Sequence, residues 1–420
     1  MTGSKEHCGF SGGRRRLAGL ALGLVAALVA GVIVSPAASA QTFKSLYSFT
    51  GGTDEGFPDG PFAQDAKGNL YGVTTFSQNG IGPGTVFRLD QAGKLKVLHA
   101  FGGGGNDDGA NGLSGVIRDA VGDLYGTTQF GGFDNQGVVF KVSGTGKESV
   151  LYRFAGGQDG IGPTAGLVRD APGNLYGTTS GSALCLECGT VFKVSPAGKQ
   201  TVLYRFKGPP DASHVLTGNL VLDASGSLYG VSYYGGLKSG CAVTTFGCGT
   251  FFKLSPKGKG WSESALYRFK GGSDGAYPYS GLIKDSAGNF YGATEWGGND
   301  GCSGLGCGTL FKIDSTGKET VLYRFTGGSD GDSPGQQIAL DAEGNLYGTA
   351  NSGGNPACQD GGCGTVFKLD TSGKLTVLHA FDGKDGAYPG TLLLDSAGHL
   401  YGATWQGGAY GAGTVFEITP

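Results

Sequence analysis

Beyond residue 34 the chain has no apolar run long enough to cross a bilayer, so a second membrane span is excluded. It also lacks a basic excess: 31 Lys and Arg stand against 34 Asp and Glu, with no cationic stripe. A phosphate backbone requires clustered cations, so a nucleic-acid partner is excluded. Helical periodicity is missing after residue 40, and no linker interrupts that part, which argues for a single non-helical domain. Histidine is scarce. After residue 40 only His99, His214, His379 and His399 occur; none is at metal-ligand spacing from another, so no metal site is expected from them.

Glycine is plentiful, with 86 residues, yet without the every-third spacing of collagen or the Pro and Ser bias of a disordered tract. These glycines punctuate runs of Val, Leu, Tyr and Phe, the pattern of strands and turns. A five-residue phrase returns seven times, its tyrosine at 71, 125, 176, 229, 291, 347 and 401. The steps of 51 to 62 residues suit one four-stranded blade with its loops. The expected fold is all-β: a seven-bladed β-propeller of four-stranded antiparallel blades spanning residues 41–420.

The third unit serves as a template. Strand A covers 165–170 and the turn Ala171-Pro172-Gly173-Asn174 leads into strand B at 175–179. A Gly-rich loop reaches strand C at 189–194, and the turn Ser195-Pro196-Ala197-Gly198 precedes strand D at 202–206. A D-type strand at 43–49 comes before the first A strand, and the chain runs out after a C strand at 413–418. The N-terminal strand is therefore expected to complete the last blade and close the ring, protecting its edges. The Asp at 65, 119, 170, 223, 285, 341 and 395 opens each A-to-B turn, where a carboxylate accepts bonds from the turn's own backbone.

Residues 1–40 differ in kind. Arg14, Arg15 and Arg16 precede an apolar run at 17–34, and Ala38-Ser39-Ala40 has the small residues of a cleavage site. A signal peptide is expected over 1–40, the alternative being an uncleaved anchor. Arg14-Arg15-Arg16-Leu17 also resembles a twin-arginine signal. Without this segment the chain keeps 27 basic and 33 acidic residues, a net charge of −6. The product is expected to be exported, in the periplasm, at the cell surface or outside the cell.

Eight cysteines follow the signal in four close pairs: Cys185 with Cys188, Cys241 with Cys248, Cys302 with Cys307, and Cys358 with Cys363. All lie in B-to-C loops, and in an oxidising compartment each pair can bridge locally. Zinc is the alternative, with only Cys185 and Cys188 at ligand spacing. Strand alternation puts the B-to-C and D-to-A loops on one face and the uniform short turns on the other. Binding belongs on variable loops held by a constant frame, so the disulfide-bearing face near the ring axis is the expected site.

Where strand B meets that face the units stop repeating. The candidate ligand-binding residues are Phe76, Gln129, Phe130, Tyr233, Tyr234, Glu295, Trp296, Asn351, Trp405 and Gln406. Rings mixed with amides and carboxylates suit a sugar or peptide, supplying stacking faces and directional hydrogen bonds; packing of the loops is the bland alternative. In the D-to-A loops Asp54, Asp159, Asp274, Asp330 and Asp385 recur. Calcium could use such oxygens, although one Asp per blade beside Gly also just sets a turn, and no cofactor is expected. Gly331-Asp332-Ser333-Pro334-Gly335 matches a nucleophile elbow but lacks the strand-to-helix setting.

The phrase Gly173-Asn174-Leu175-Tyr176-Gly177, with Gly189-Thr190-Val191-Phe192 and Leu203-Tyr204-Arg205-Phe206, resembles the bacterial GloVer tandem repeat of choice-of-anchor extracellular proteins. The resemblance implies an exported repeat protein and carries no activity over to particular residues. Its rhythm is also similar to NHL-type propellers, which supports the blade order. The expected function is a monomeric binding or adhesion scaffold for an extracellular glycan or protein. A propeller enzyme acting on a sugar or lactone, with inward carboxylates and a metal at the axis, is one alternative; a structural surface component is another.

Overall fold

The computed structural model describes residues 41–76, 82–102, 108–182, 188–215, 218–237, 241, 246–358 and 361–419. The expected signal at 1–40 lies outside the described residues, as does Cys185.

Seven sheets of four or five antiparallel strands follow one another along the chain. In blade 1 the order is A (Gly56–Gln64), B (Leu70–Phe76), C (Thr85–Leu89) and D (Leu95–Ala100). The last sheet joins A (Ala387–Leu394), B (Leu400–Gln406) and C (Thr414–Thr419) to the strand Thr42–Ser48. Thr42 pairs with Thr419 and Ser48 with Thr414, so the two ends of the domain share a sheet and the ring is closed as expected. Among the described residues no α-helix occurs, and no helix is long and apolar enough to cross a membrane.

The repeat phrases have physical reasons. Every B strand is buried on both faces, so it reads as a continuous apolar and Thr run. Its invariant Gly lies under the C-strand phenylalanine: a Cβ on Gly72 would sit 2.7 Å from the Phe87 ring and one on Gly402 2.4 Å from Phe416. The phenylalanine that ends each D strand then meets the C-strand phenylalanine of the next blade edge to face. Phe154 and Phe192 are 5.1 Å apart between ring centres, and Phe49, from the N-terminal segment, meets Phe87 at 5.3 Å. The contact recurs at all seven seams and contributes about 1 kcal/mol apiece beyond the buried area. The seam therefore closes the ring with the same chemistry that builds it.

At the A-to-B turns, Asp65 accepts from the backbone of Asn69 at 3.0 Å and from the Tyr71 hydroxyl at 2.9 Å. Burial opposes its ionisation, but bonds from Asn69, Tyr71 and Lys67 outweigh it and hold the carboxyl below its usual value. The arrangement recurs down to Asp341 with Tyr347; in the last blade Tyr401 donates instead to Glu417 at 3.0 Å. These carboxylates hold turns.

Strand A departs from the sequence reading. In blade 5 it has two halves, Ala276–Pro278 and Ile283–Lys284, both paired with Phe290–Trp296, and the first half falls in what reads as the D-to-A loop. In blade 1 the halves are continuous, with a register shift between Asp59 and Ala63. In five blades a proline (Pro58, Pro163, Pro278, Pro334 and Pro389) marks this point, and since proline cannot donate to the ladder it does not support continuous pairing there. This extra half carries A-strand residues onto the disulfide-bearing face.

Candidate functional site

The residue before that proline has positive φ in blade after blade: Phe57 (56°), Tyr277 (59°), Ser333 (53°) and Tyr388 (56°), with Asn111, Gly162 and His214 at the equivalent places. For an aromatic residue this conformation is unfavourable and needs a local constraint. The constraint is an inter-blade latch. The amide of Tyr277 donates to the Cys248 carbonyl at 2.9 Å, that of Ser333 to Cys307 at 3.1 Å and that of Tyr388 to Cys363 at 3.0 Å. Its own carbonyl in turn accepts from strand B, as where Tyr233 donates to His214 at 3.1 Å. Ser333, in the elbow-like motif, owes its backbone to this recurrent latch, and its hydroxyl donates to Asp332 at 3.0 Å.

Latched in this way, the upstream A halves and the ends of the B strands surround a cup of about 820 Å³ on the disulfide-bearing face. Its wall includes Phe76, Tyr233, Glu295, Asn351, Trp405 and Gln406 from the B-strand ends. Strand A adds Asp59, Tyr279, Gln336 and Tyr388. Trp405 keeps 37% of its surface exposed and crosses Phe76 edge to face at 6.3 Å.

Two carboxyls reach this cup. Asp59 accepts from the Gly60 amide at 2.7 Å; burial pushes it up to about 6 against the bonds from Gly60 and Gln336. Glu295 accepts the Tyr233 hydroxyl at 2.6 Å across the boundary between blades 4 and 5. Burial raises Glu295, Tyr233 opposes that, and the nearby charge of Asp332 adds to it. The Tyr233 hydroxyl is raised far above its usual value by burial and by Glu295.

The remaining candidates stand elsewhere. Tyr234 packs on Tyr233 at 4.9 Å and on Tyr277, and Trp296 meets Tyr277 edge to face at 5.2 Å, both against a buried cluster. Gln129 accepts from the Asn111 amide at 3.1 Å, and Phe130 is 43% exposed without lining the cup. Disulfides join Cys241 to Cys248, Cys302 to Cys307 and Cys358 to Cys363. The second cysteine of each is the latch carbonyl, so the bridge pins the residue that holds the neighbouring blade.

The D-to-A carboxylates have partners in the fold. Tyr47 donates to Asp54 at 2.8 Å, Tyr152 to Asp159 at 2.9 Å and Tyr323 to Asp330 at 3.0 Å, while His379 bonds Asp385 at 2.7 Å. Backbone amides at 155 and 326 add further bonds to Asp159 and Asp330. On the opposite face Arg118, Arg169 and Lys284 line a shallower depression of about 710 Å³. Each lies over the B-strand tyrosine of the preceding blade, at 5.6, 5.7 and 5.4 Å respectively.

Comparison with known proteins places the chain. The family model described as a Gloeobacter/Verrucomicrobia repeat matches residues 26–244 and again 241–420. No curated protein matches. Among solved structures, PorZ, an essential bacterial surface component of the type-IX secretion system of Porphyromonas gingivalis, is 13% identical with a TM-score of 0.53, covering 86% of this chain and 46% of that one. The extracellular domain assigned to a one-component system of B. thetaiotaomicron is 12% identical with a TM-score of 0.54, covering 89% and 39%. The chain thus spans less than half the length of either. A gluconolactonase from Xanthomonas campestris is 14% identical with a TM-score of 0.41, covering 90% of both chains, a likeness too loose to carry chemistry.

Proposed function

The chain belongs to the Gloeobacter/Verrucomicrobia repeat family, and we propose that it is an exported scaffold that binds a carbohydrate in its axial cup. One observation carries the reading: six of the ten side chains at the variable B-strand ends meet in one concave site, on a frame that is otherwise constant. Trp405, Tyr279 and Tyr388 offer ring faces for a pyranose, and Gln336, Asn351 and Gln406 offer paired donors and acceptors for its hydroxyls. Export agrees with the three disulfides, which persist in oxidising compartments.

The test is a thermal-shift screen of the folded chain against a glycan panel, repeated with Trp405→Ala. A saccharide should raise the melting temperature of the native protein and leave the variant unmoved. A shift that survives the substitution, or no shift with any saccharide, overturns the reading. A hydrolytic function is the second reading, supported by the inward carboxyls Asp59 and Glu295; release of new reducing ends from a bound oligosaccharide, abolished in Glu295→Gln, is its signature.

A further inference from the structure

We propose that the cup selects a saccharide carrying a free, protonated amine, an amino sugar that is not N-acetylated. This rests on the carbohydrate reading and goes beyond it by assigning the ligand's charge. Among the described residues the cup wall includes two carboxyls, Asp59 and Glu295, and no Lys, Arg or His. A third acid, Asp332, bears on Glu295 from the adjoining strand. Such a site repels a uronic or sulfated sugar and favours a cation.

The two cup acids differ from the other recurrent carboxylates. Asp65 takes bonds from two backbone amides, an Asn side chain and a tyrosine, which fills its acceptor capacity. Asp59 takes the Gly60 amide and Gln336, and Glu295 the Tyr233 hydroxyl. Each oxygen pair has room for about four donors, so both keep capacity for an ammonium. Their burial raises both carboxyls, and a bound cation would offset that penalty. The ring faces act in the same direction, since an aromatic quadrupole attracts a cation.

An amino sugar fits better than a lysine side chain. A lysine brings an ammonium on a plain methylene stem, which gives the carboxamides of Gln336, Asn351 and Gln406 nothing to bond. A pyranose brings hydroxyls to those amides and an apolar face to the rings.

Calorimetric titration of the folded full chain near neutral pH, with four probes, tests this: a glucosamine tetramer, its N-acetylated counterpart, a galacturonic acid tetramer and tetralysine. The glucosamine tetramer should bind roughly 10-fold or more tighter than the acetylated one, the scale of a desolvated charge pair, and the uronic probe should not bind. Asp59→Asn and Glu295→Gln should each weaken the glucosamine tetramer more than the acetylated one and so reduce that preference, and an unchanged far-ultraviolet signature shows that the variants fold. Trp405→Ala should weaken both sugars. If the two sugars bind equally and Trp405→Ala still weakens them, the amine assignment fails and the carbohydrate reading stands. If neither sugar binds, both fail. Binding of tetralysine alone would overturn the assignment in favour of a basic peptide.

Discussion

Tyr233, at the end of strand B in blade 4, gives its hydroxyl proton to Glu295, the equivalent residue of blade 5, at 2.6 Å. The bond spans a blade boundary and supports a buried carboxylate. Tyr233→Phe removes that donor and pushes the Glu295 carboxyl further up. The loss should be about 2 kcal/mol of unfolding free energy at pH 8, in the range of bonds to charged groups. It should shrink at pH 4, where Glu295 is protonated with or without its partner. Urea unfolding of both proteins at the two pH values checks this, and an equal deficit at both would refute the electrostatic account.

Ring closure concentrates on Phe43, which lies flat on His379 at 3.7 Å between ring centres and also meets Phe381 and Phe416. Phe43→Ala should cost roughly 2–3 kcal/mol, somewhat less than a fully buried ring. The measurement is the urea midpoint. A change within error would mean that the N-terminal strand contributes little to the closed ring.

Two D-strand glutamates make the fold lose stability as pH rises toward neutrality. Burial, then Asp211, raises Glu263 to about 7 against the pull of Arg268; burial, then Asp274, raises Glu319 to about 7 against Arg324 and Lys270. Blade 3 has Gln200 in that position, donating to the Asp159 carbonyl at 3.3 Å. An acid whose folded pKa lies above its unfolded value of 4.5 keeps its proton only in the folded state, so stability is lost as pH rises from about 4.5 to 7. Both side chains are half exposed and solvent screens them, so Glu263→Gln or Glu319→Gln should each gain about 1 kcal/mol at pH 8 and nothing at pH 4. Calorimetric melting temperatures across that range decide the matter.

Reduction should loosen the latches. Cys302 and Cys307 enclose a loop of sequence separation 5, for which the chain-entropy model gives roughly 2 kcal/mol. The double change Cys302→Ser and Cys307→Ser should lower the unfolding free energy by about that amount and leave the far-ultraviolet signature of the strands intact. Hydrogen exchange at the Ser333 amide, which donates to the Cys307 carbonyl, should accelerate more than exchange at amides of the opposite face. Uniform acceleration would show that the bridge acts on global stability alone.

The frame was legible because side-chain arrangements are repeated: the Gly of strand B needs the Phe of strand C in all seven blades, and the turn Asp takes the B-strand Tyr in six of them. The cup was legible only in part. Tyr233 and Tyr234 look alike in the sequence, yet strand alternation sends one to the cup and the other into the blade interior, and composition does not reveal which. Asp59, Tyr279, Gln336 and Tyr388 escaped notice because a Gly-rich segment with a proline reads as a loop, whereas in the structure the residues up to that proline pair as half a strand, with positive φ at the residue before it. A signal was there: the residue after that proline varies among Asp59, Thr164, Tyr279, Gly335 and Gly390 just as the B-strand ends do.

Antiparallel pairing of Thr42 with Thr419 brings both domain ends to one spot, and each strand points from there toward the cup-bearing side. A tether attached before residue 42 or after residue 419 would leave from the same point on the far side. Swapping an amino-terminal leash for a carboxy-terminal one would therefore leave the cup on the side away from the point of attachment in either case.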